Sequence, residues 1–388
     1  MKKLRVALVA FRGAGDGMFE KGRARLSQLI APEQVEFVEQ QPDVIYFLSG
    51  GSERAAAAHL QPDRWTLLLA FKEENAYAAA TETQAYARQR GYAATLIDGE
   101  DAETPALLGH LAAVVDGAAR LHGQRLGLIG DVSEWLIASN IDAELLKNRL
   151  GIELRQILWS ALPTYAAQPP SPELLAAFHA PDKNLNDTAS VYALLRQCVQ
   201  AEKLDAITVE CFSMVKAHAV TACLPLAKFN ADGFPAGCEG DLVSIVGMML
   251  ANAVTGIVPW MANTAQIRED RALFAHCTIA PTLLRECAVT THFETGVGTA
   301  IQGDFAADDV TIFRLDSSLR RAFLTCAPVL ARPRYAHACR TQIEVAPPPQ
   351  AVRLLRDSPL GNHHLILPGN HADRLRLACL RFGLEAQK

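Results

Sequence analysis

The sequence predicts an α/β protein: two Rossmann-like parallel-sheet domains followed by a β-rich C-terminal α+β domain. Three observations carry that reading. The first third alternates short apolar runs with stretches of helical periodicity. The alternation restarts at Arg125-Leu126-Gly127-Leu128-Ile129-Gly130-Asp131, and beyond Asp270 it gives way to alternating strands with proline-rich connections. A chain of 388 residues also exceeds what one hydrophobic core supports.

The elements follow in order. Residues 4–11 read as a strand, 18–29 as a helix, 35–39 as a short strand and 44–48 as an apolar strand ending in Ser49-Gly50-Gly51-Ser52. A helix at 53–60, a strand at 65–70 and a helix at 76–90 continue the pattern, which implies a parallel sheet with right-handed crossovers. An Ala/Leu-rich helix at 105–121 leads into the restart and sets a domain boundary near Gly123. The second unit has a helix at 142–150 closed by Gly151, a strand at 153–158, a helix at 189–201 and a strand at 206–212. The loop Leu224-Pro225-Leu226-Ala227-Lys228 then leads to Cys238-Glu239-Gly240-Asp241, which opens an apolar helix stopping at Gly256. Strands at 311–315, 322–325 and 341–345, prolines at 328, 333 and 347–349, and a last helix at 372–382 make up the third part. The expected domains are 1–122, 123–268 and 269–388.

Composition removes several function classes. Half of the residues are hydrophobic and a fifth charged, as in globular proteins. Thirty-seven basic against forty-two acidic residues leave a net charge of −5, and no Lys/Arg run is present. Neither nucleic acid nor a membrane is therefore an expected partner. The N-terminal Met-Lys-Lys-Leu-Arg-Val-Ala-Leu-Val-Ala-Phe is broken by Arg5 and ends at Arg12-Gly13, so it reads as a first strand and not as a signal peptide. Nine cysteines without CxxC spacing read as reduced, mostly buried thiols. The expected location is cytoplasmic.

Candidate chemistry concentrates in the second half. Glu239 and Asp241 sit at a helix start, where free backbone N–H groups stabilise a carboxylate; they read either as helix caps or as a cation ligand kept ionised. His276 lies in the apolar run Leu273-Phe274-Ala275-His276-Cys277-Thr278, as a hydrogen-bonded core histidine or a ligand. In Asn362-His363-His364, adjacent strand residues point to opposite faces, so only one imidazole can face a given site. Glu oxygen and His nitrogen together suit Mn²⁺, Mg²⁺ or Zn²⁺. Gly13-Ala14-Gly15-Asp16-Gly17 follows a strand but lacks both GxGxxG spacing and the Lys-Ser/Thr of a P-loop, which argues against a nucleotide site.

The segment from Cys211 through Cys223, Asn230-x-x-Gly233 and Cys238-Glu239-Gly240-Asp241 resembles the core of the L-fucose isomerase and L-arabinose isomerase superfamily. Thr255-Gly256-x-x-Pro259, Ala275-His276-Cys277-Thr278, Gly296-x-Gly298, Val310-Thr311 and Asn362-His363-His364 continue the resemblance in order. The resemblance implies aldose–ketose isomerisation through an enediol, with Mn²⁺ or another divalent cation. It assigns Glu239 as metal ligand and base, and His363 and His276 as further ligands. Asn263 stands where the family has a second acidic residue; it is expected as a ligand or polariser, since its amide oxygen cannot act as a carboxylate base. Asp270 and Glu269 are the nearest carboxylates in sequence. The resemblance further implies a homo-oligomer, trimer or hexamer, acting on a small sugar or sugar derivative. The alternative is a non-catalytic carbohydrate-binding protein with a degenerate isomerase site.

Overall fold

The computed structural model describes residues 1–387 and divides into two compact units. The first, Met1–Ala119 with Arg376–Leu384, holds a five-stranded parallel sheet in the order β2-β1-β3-β4-β5. Its strands are β1 (Leu4–Val9), β2 (Val35–Phe37), β3 (Val44–Phe47), β4 (Thr66–Ala70) and β5 (Ala94–Asp98). Helices α1 (Asp16–Leu26), α2 (Glu53–Ala57), α3 (Ala76–Arg90) and α4 (Thr104–Leu121) follow β1, β3, β4 and β5 in turn. β3 and β4 are buried at every position, which is why they read as unbroken apolar runs and not as alternating ones. Val9, Ile45, Phe47 and Leu68 pack with the small residues Ala79 and Ala80 of α3.

The second unit begins at Arg120. Strands β6 (Arg125–Ile129), β7 (Glu153–Ile157), β8 (Ala206–Val209) and β9 (Ala236–Cys238) form a parallel sheet in the order β7-β6-β8-β9. Helices α5 (Ala143–Leu150), α6 (Pro172–Ala177), α7 (Asn186–Glu202), α8 (Phe212–His218), α9 (Cys223–Ala231) and α10 (Leu242–Thr255) connect and cover it. The stretch expected as a loop at 224–228 is thus helical. Pro225 sits in the first turn of α9, where a missing N–H costs nothing.

Six antiparallel strands of the same unit close into a barrel: β10 (Trp260–Ile267), β11 (Ala272–His276), β14 (Asp309–Leu315), β15 (Arg321–Ala331), β16 (Thr341–Val345) and β17 (His363–Pro368). β14 pairs with both β15 and β17, which leaves no free edge in the ring. The hairpin β12 (Leu284–Thr290) and β13 (Ala300–Phe305) forms a separate two-stranded sheet, and β18 (Glu385–Gln387) adds in parallel to β15. Helix α11 (Pro349–Asp357) starts on the proline run, and α12 (Ala372–Arg381) begins in this unit.

The expected boundaries lie at 122/123 and 268/269, and the two compact units divide at Ala119/Arg120. The barrel already takes Trp260–Ile267, and parallel sheet and barrel share α10: Gly247 packs against Leu365 and Phe313 of the barrel, while Ile245 lies against Gly237 of β9. Lys388, the last residue of the expected third domain, lies outside the described residues.

A buried carboxylate ties the first unit together. Asp43, 2% exposed, accepts from Arg64 and Arg381 at 2.6 Å each and from the backbone N–H of Arg5 at 3.0 Å. Removing one member of such a cluster strands its partners in low dielectric. Asp43→Ala is expected to lower the unfolding free energy by about 3 kcal/mol, read from urea denaturation.

Candidate functional site

Glu239 stands between the end of β9 and the start of α10, on a left-handed turn of two residues with φ of 62° at Glu239 and 67° at Gly240. A Cβ on Gly240 would lie 2.2 Å from the Asp131 carbonyl oxygen, so only glycine fits there. The Glu239 carbonyl accepts from Ser133 N–H at 3.1 Å. A non-glycine residue held at positive φ costs on the order of 1–2 kcal/mol and marks a place where geometry is imposed.

The turn separates the two acidic residues that the sequence left undecided. Asp241 is the helix cap: its Oδ1 accepts from Ser244 N–H at 2.7 Å. Glu239 is no cap. Its Oε1 lies 3.6 Å from His363 Nε2 and 3.7 Å from His276 Nε2, and the ligand atoms of the three side chains fall within 4.8 Å of one another. Donors bonded to one ion at about 2.1 Å stand about 3.0–3.5 Å apart, close to these separations.

His363 and His364 part company as strand alternation requires. His364 is buried against Phe274 and Phe323 and bonds Thr264 Oγ1 at 3.0 Å; burial drives its pKa down to about 3. His363 faces Glu239, and its Nδ1 bonds Asp241 Oδ2 at 2.8 Å. A carboxylate can only accept, so Nδ1 carries a proton, and in the neutral ring Nε2 is the nitrogen with the lone pair. That Nε2 is buried and has no hydrogen-bond partner among the described residues. Burial opposes charge on this ring, but Glu239 and Asp241 outweigh it and raise its pKa to about 9. Burial likewise opposes charge on Glu239, and His363 and His276 overcome it, holding the carboxyl well below its ordinary range.

His276 is arranged the other way round. Its Nδ1 accepts from Thr278 N–H at 3.0 Å, so in the neutral ring Nε2 carries the proton and points it toward Glu239. His276 therefore stands as a donor to the carboxylate, and ligating through Nε2 means shedding that proton or turning the ring. A carboxylate, an imidazole nitrogen without a hydrogen-bond partner on a ring held by Asp241, and a second imidazole in reach fit a divalent cation.

Asn263 is directly across from His363 in the β10–β17 ladder, yet its hydrogen bonds go elsewhere. Its Oδ1 accepts from Asn362 Nδ2 at 2.5 Å and its Nδ2 approaches Cys339 Sγ at 3.9 Å. The expected ligand oxygen is thus already engaged. Asp270 is bound by Arg271 in the exposed β10–β11 turn and does not substitute for it.

Sequence reasoning missed the supports. Arg314, 1% exposed, donates to the His363 carbonyl and, at 3.0 Å, to Ser139 Oγ, and lies 3.9 Å from Asp241. Trp135 Nε1 donates to Glu239 Oε2 at 2.8 Å, and its ring meets Phe212 edge-on at 4.8 Å, which in turn meets His292 at 5.8 Å. Burial, then the nearby His276, lowers the His292 pKa to about 4. On the same loop, burial and the charge of Glu239 raise the pKa of Glu294. No residue spacing announces these contacts; only the apolar run Thr311–Leu315, interrupted by a lone arginine, carried a readable signal.

No protein-family model matches this chain, and no curated protein sequence gives a significant match. Among the described residues no helix is long and apolar enough to cross a membrane.

Two outcomes follow for the centre. Asp241→Asn should weaken Mn²⁺ affinity about 10–100-fold, measured by calorimetric titration, because the His363 tautomer loses its anchor. In metal-free protein the raised His363 pKa makes its stabilisation complete below about pH 6.5 and lost as pH rises through about 9. The melting temperature of metal-free protein should therefore fall between pH 7 and 10, and His363→Gln should flatten that fall.

Proposed function

We propose that this protein is a divalent-metal-dependent aldose–ketose isomerase acting on a small sugar or sugar derivative, of the L-fucose/L-arabinose isomerase kind. The observation that carries the reading is the buried meeting of Glu239, His276 and His363 around an imidazole nitrogen that lacks a partner. A divalent cation there would supply Lewis-acid polarisation of the sugar's adjacent oxygens.

The residues do the rest. Glu239, ionised across the neutral range, is the proton acceptor for the carbon-bound hydrogen next to the carbonyl. Trp135 fixes one of its oxygens and so sets which one faces the histidines. His276, with its proton on Nε2, is placed to donate a hydrogen bond to oxygen as negative charge develops. Asp241 and Arg314 hold His363 in one tautomer and one position. A homo-oligomer, trimer or hexamer, and a cytoplasmic location belong to the same proposal, as does Mn²⁺ as the preferred ion.

One observation favours the second reading, a carbohydrate-binding protein without turnover. Asn263 replaces a carboxylate and its amide oxygen is tied to Asn362. Proton NMR in D₂O with Mn²⁺ and a panel of aldoses and ketoses separates the two. Isomerisation with deuterium appearing beside the carbonyl is the expected result, and Glu239→Gln should reduce it at least 100-fold. Binding without conversion or exchange on any sugar would establish the second reading.

A further inference from the structure

The first unit holds a cavity of about 430 Å³ that the chemistry above does not use. It lies beside α1 at the carboxyl ends of β3 and β4, where Leu48 and Phe71 immediately follow the two strands. The order β2-β1-β3-β4-β5 reverses direction between β1 and β3, and open parallel sheets bind ligands outside the carboxyl ends of their strands near such a reversal. The volume is that of a small-molecule site.

Its lining carries polar groups. Tyr46, 3% exposed as a residue, is one of them. Burial raises its pKa to about 12, so it stays a neutral donor at any physiological pH. Arg25 is already engaged: it bonds Glu73 at 2.7 Å, reaches Glu100 at 3.4 Å and lies 3.5 Å from the centre of the Phe71 ring. It serves as wall. Lys21, one turn earlier on α1, is a solvent-exposed lining residue with no ion pair among the described residues.

Glu74 also lines the cavity. Glu74 and Asn75 are consecutive left-handed residues, with φ of 54° and 57°, pinned by Gly50 N–H on the Glu74 carbonyl at 2.7 Å. Strain of this kind persists where the surroundings impose it. Glu74 is solvent-exposed with no ion pair among the described residues, and its carboxylate can accept from hydroxyl groups.

An apolar ligand would make no polar contact with the ammonium, the hydroxyl or the carboxylate. A simple anion would answer only Lys21. A sugar bearing one anionic group meets all three, with its C–H face against Met18, Leu48 and Phe71. We propose that this cavity is a second ligand site that binds an anionic sugar, with the anion on Lys21 and the hydroxyl groups on Tyr46 and Glu74. The inference does not depend on the Glu239 centre.

Calorimetric titration of the full chain with four probes tests it: a hexose 6-phosphate, a hexuronic acid, the uncharged hexose and inorganic phosphate. One of the two anionic sugars should bind at least tenfold more tightly than the hexose or the phosphate. Tyr46→Phe and Lys21→Ala should each weaken it about tenfold, while Glu239→Gln leaves it unchanged. Tighter binding of the phosphorylated or of the carboxylated sugar identifies which anion the site prefers. Absence of binding by both anionic sugars, equal binding of inorganic phosphate, or indifference to both cavity variants would overturn the proposal. Loss of binding in Glu239→Gln would move the ligand to the metal centre and overturn it equally.

Discussion

A single buried carboxylate organises the candidate centre. One oxygen of Asp241 closes the N-terminus of α10 and the other fixes the proton on His363 Nδ1. The helix belongs to the parallel sheet through β9, and the histidine belongs to the barrel through β17. Asp241 is 0% exposed, so both bonds form in low dielectric, where their loss is not repaid by water. Arg314 balances the charge and reaches the His363 carbonyl and Ser139 as well. What the rest of the site requires, the Nε2 edge of His363 turned toward Glu239, follows from this one fixture.

The second constraint is the left-handed turn at Glu239 and Gly240. It lies between the end of β9 and Asp241, the cap of α10. The turn is held by Gly240 N–H on the Val209 carbonyl and by Ser133 N–H on the Glu239 carbonyl. Backbone and not side chains thus sets where the carboxylate stands. Trp135 then takes one carboxylate oxygen, leaving the other for the histidines. Tension remains at His276, whose accepting Nδ1 suits a hydrogen-bond donor better than a metal ligand.

Much of the framework was legible in the sequence because it rests on local patterning. Buried strands such as β3 and β4, the α10 helix with its Gly256 stop, and the antiparallel texture after Asp270 are all periodicity signals. Elements that depend on context were not. Pro225 suggested a loop and lies in the first turn of α9; the proline run before α11 likewise hid a helix; closure of six strands into a barrel leaves no mark on any one of them. At the site, Glu239, His276 and His363 were readable as residue types in suggestive positions. Asp241 as a support and Trp135 were not, because each acts through a contact between distant segments, and Arg314 showed only as a lone charge in an apolar run. Asn263 shows the converse: the right place in the register, opposite His363, with its oxygen committed to Asn362.

The central claim is that Glu239 and His363 hold a divalent cation. Crystals soaked in Mn²⁺ and measured at the manganese absorption edge test it directly. The account predicts one strong anomalous peak bonded to a Glu239 carboxylate oxygen and to His363 Nε2, with the His363–Asp241 hydrogen bond intact. An empty centre at saturating Mn²⁺, or a peak bound elsewhere with His363 Nε2 still unpartnered, would contradict it.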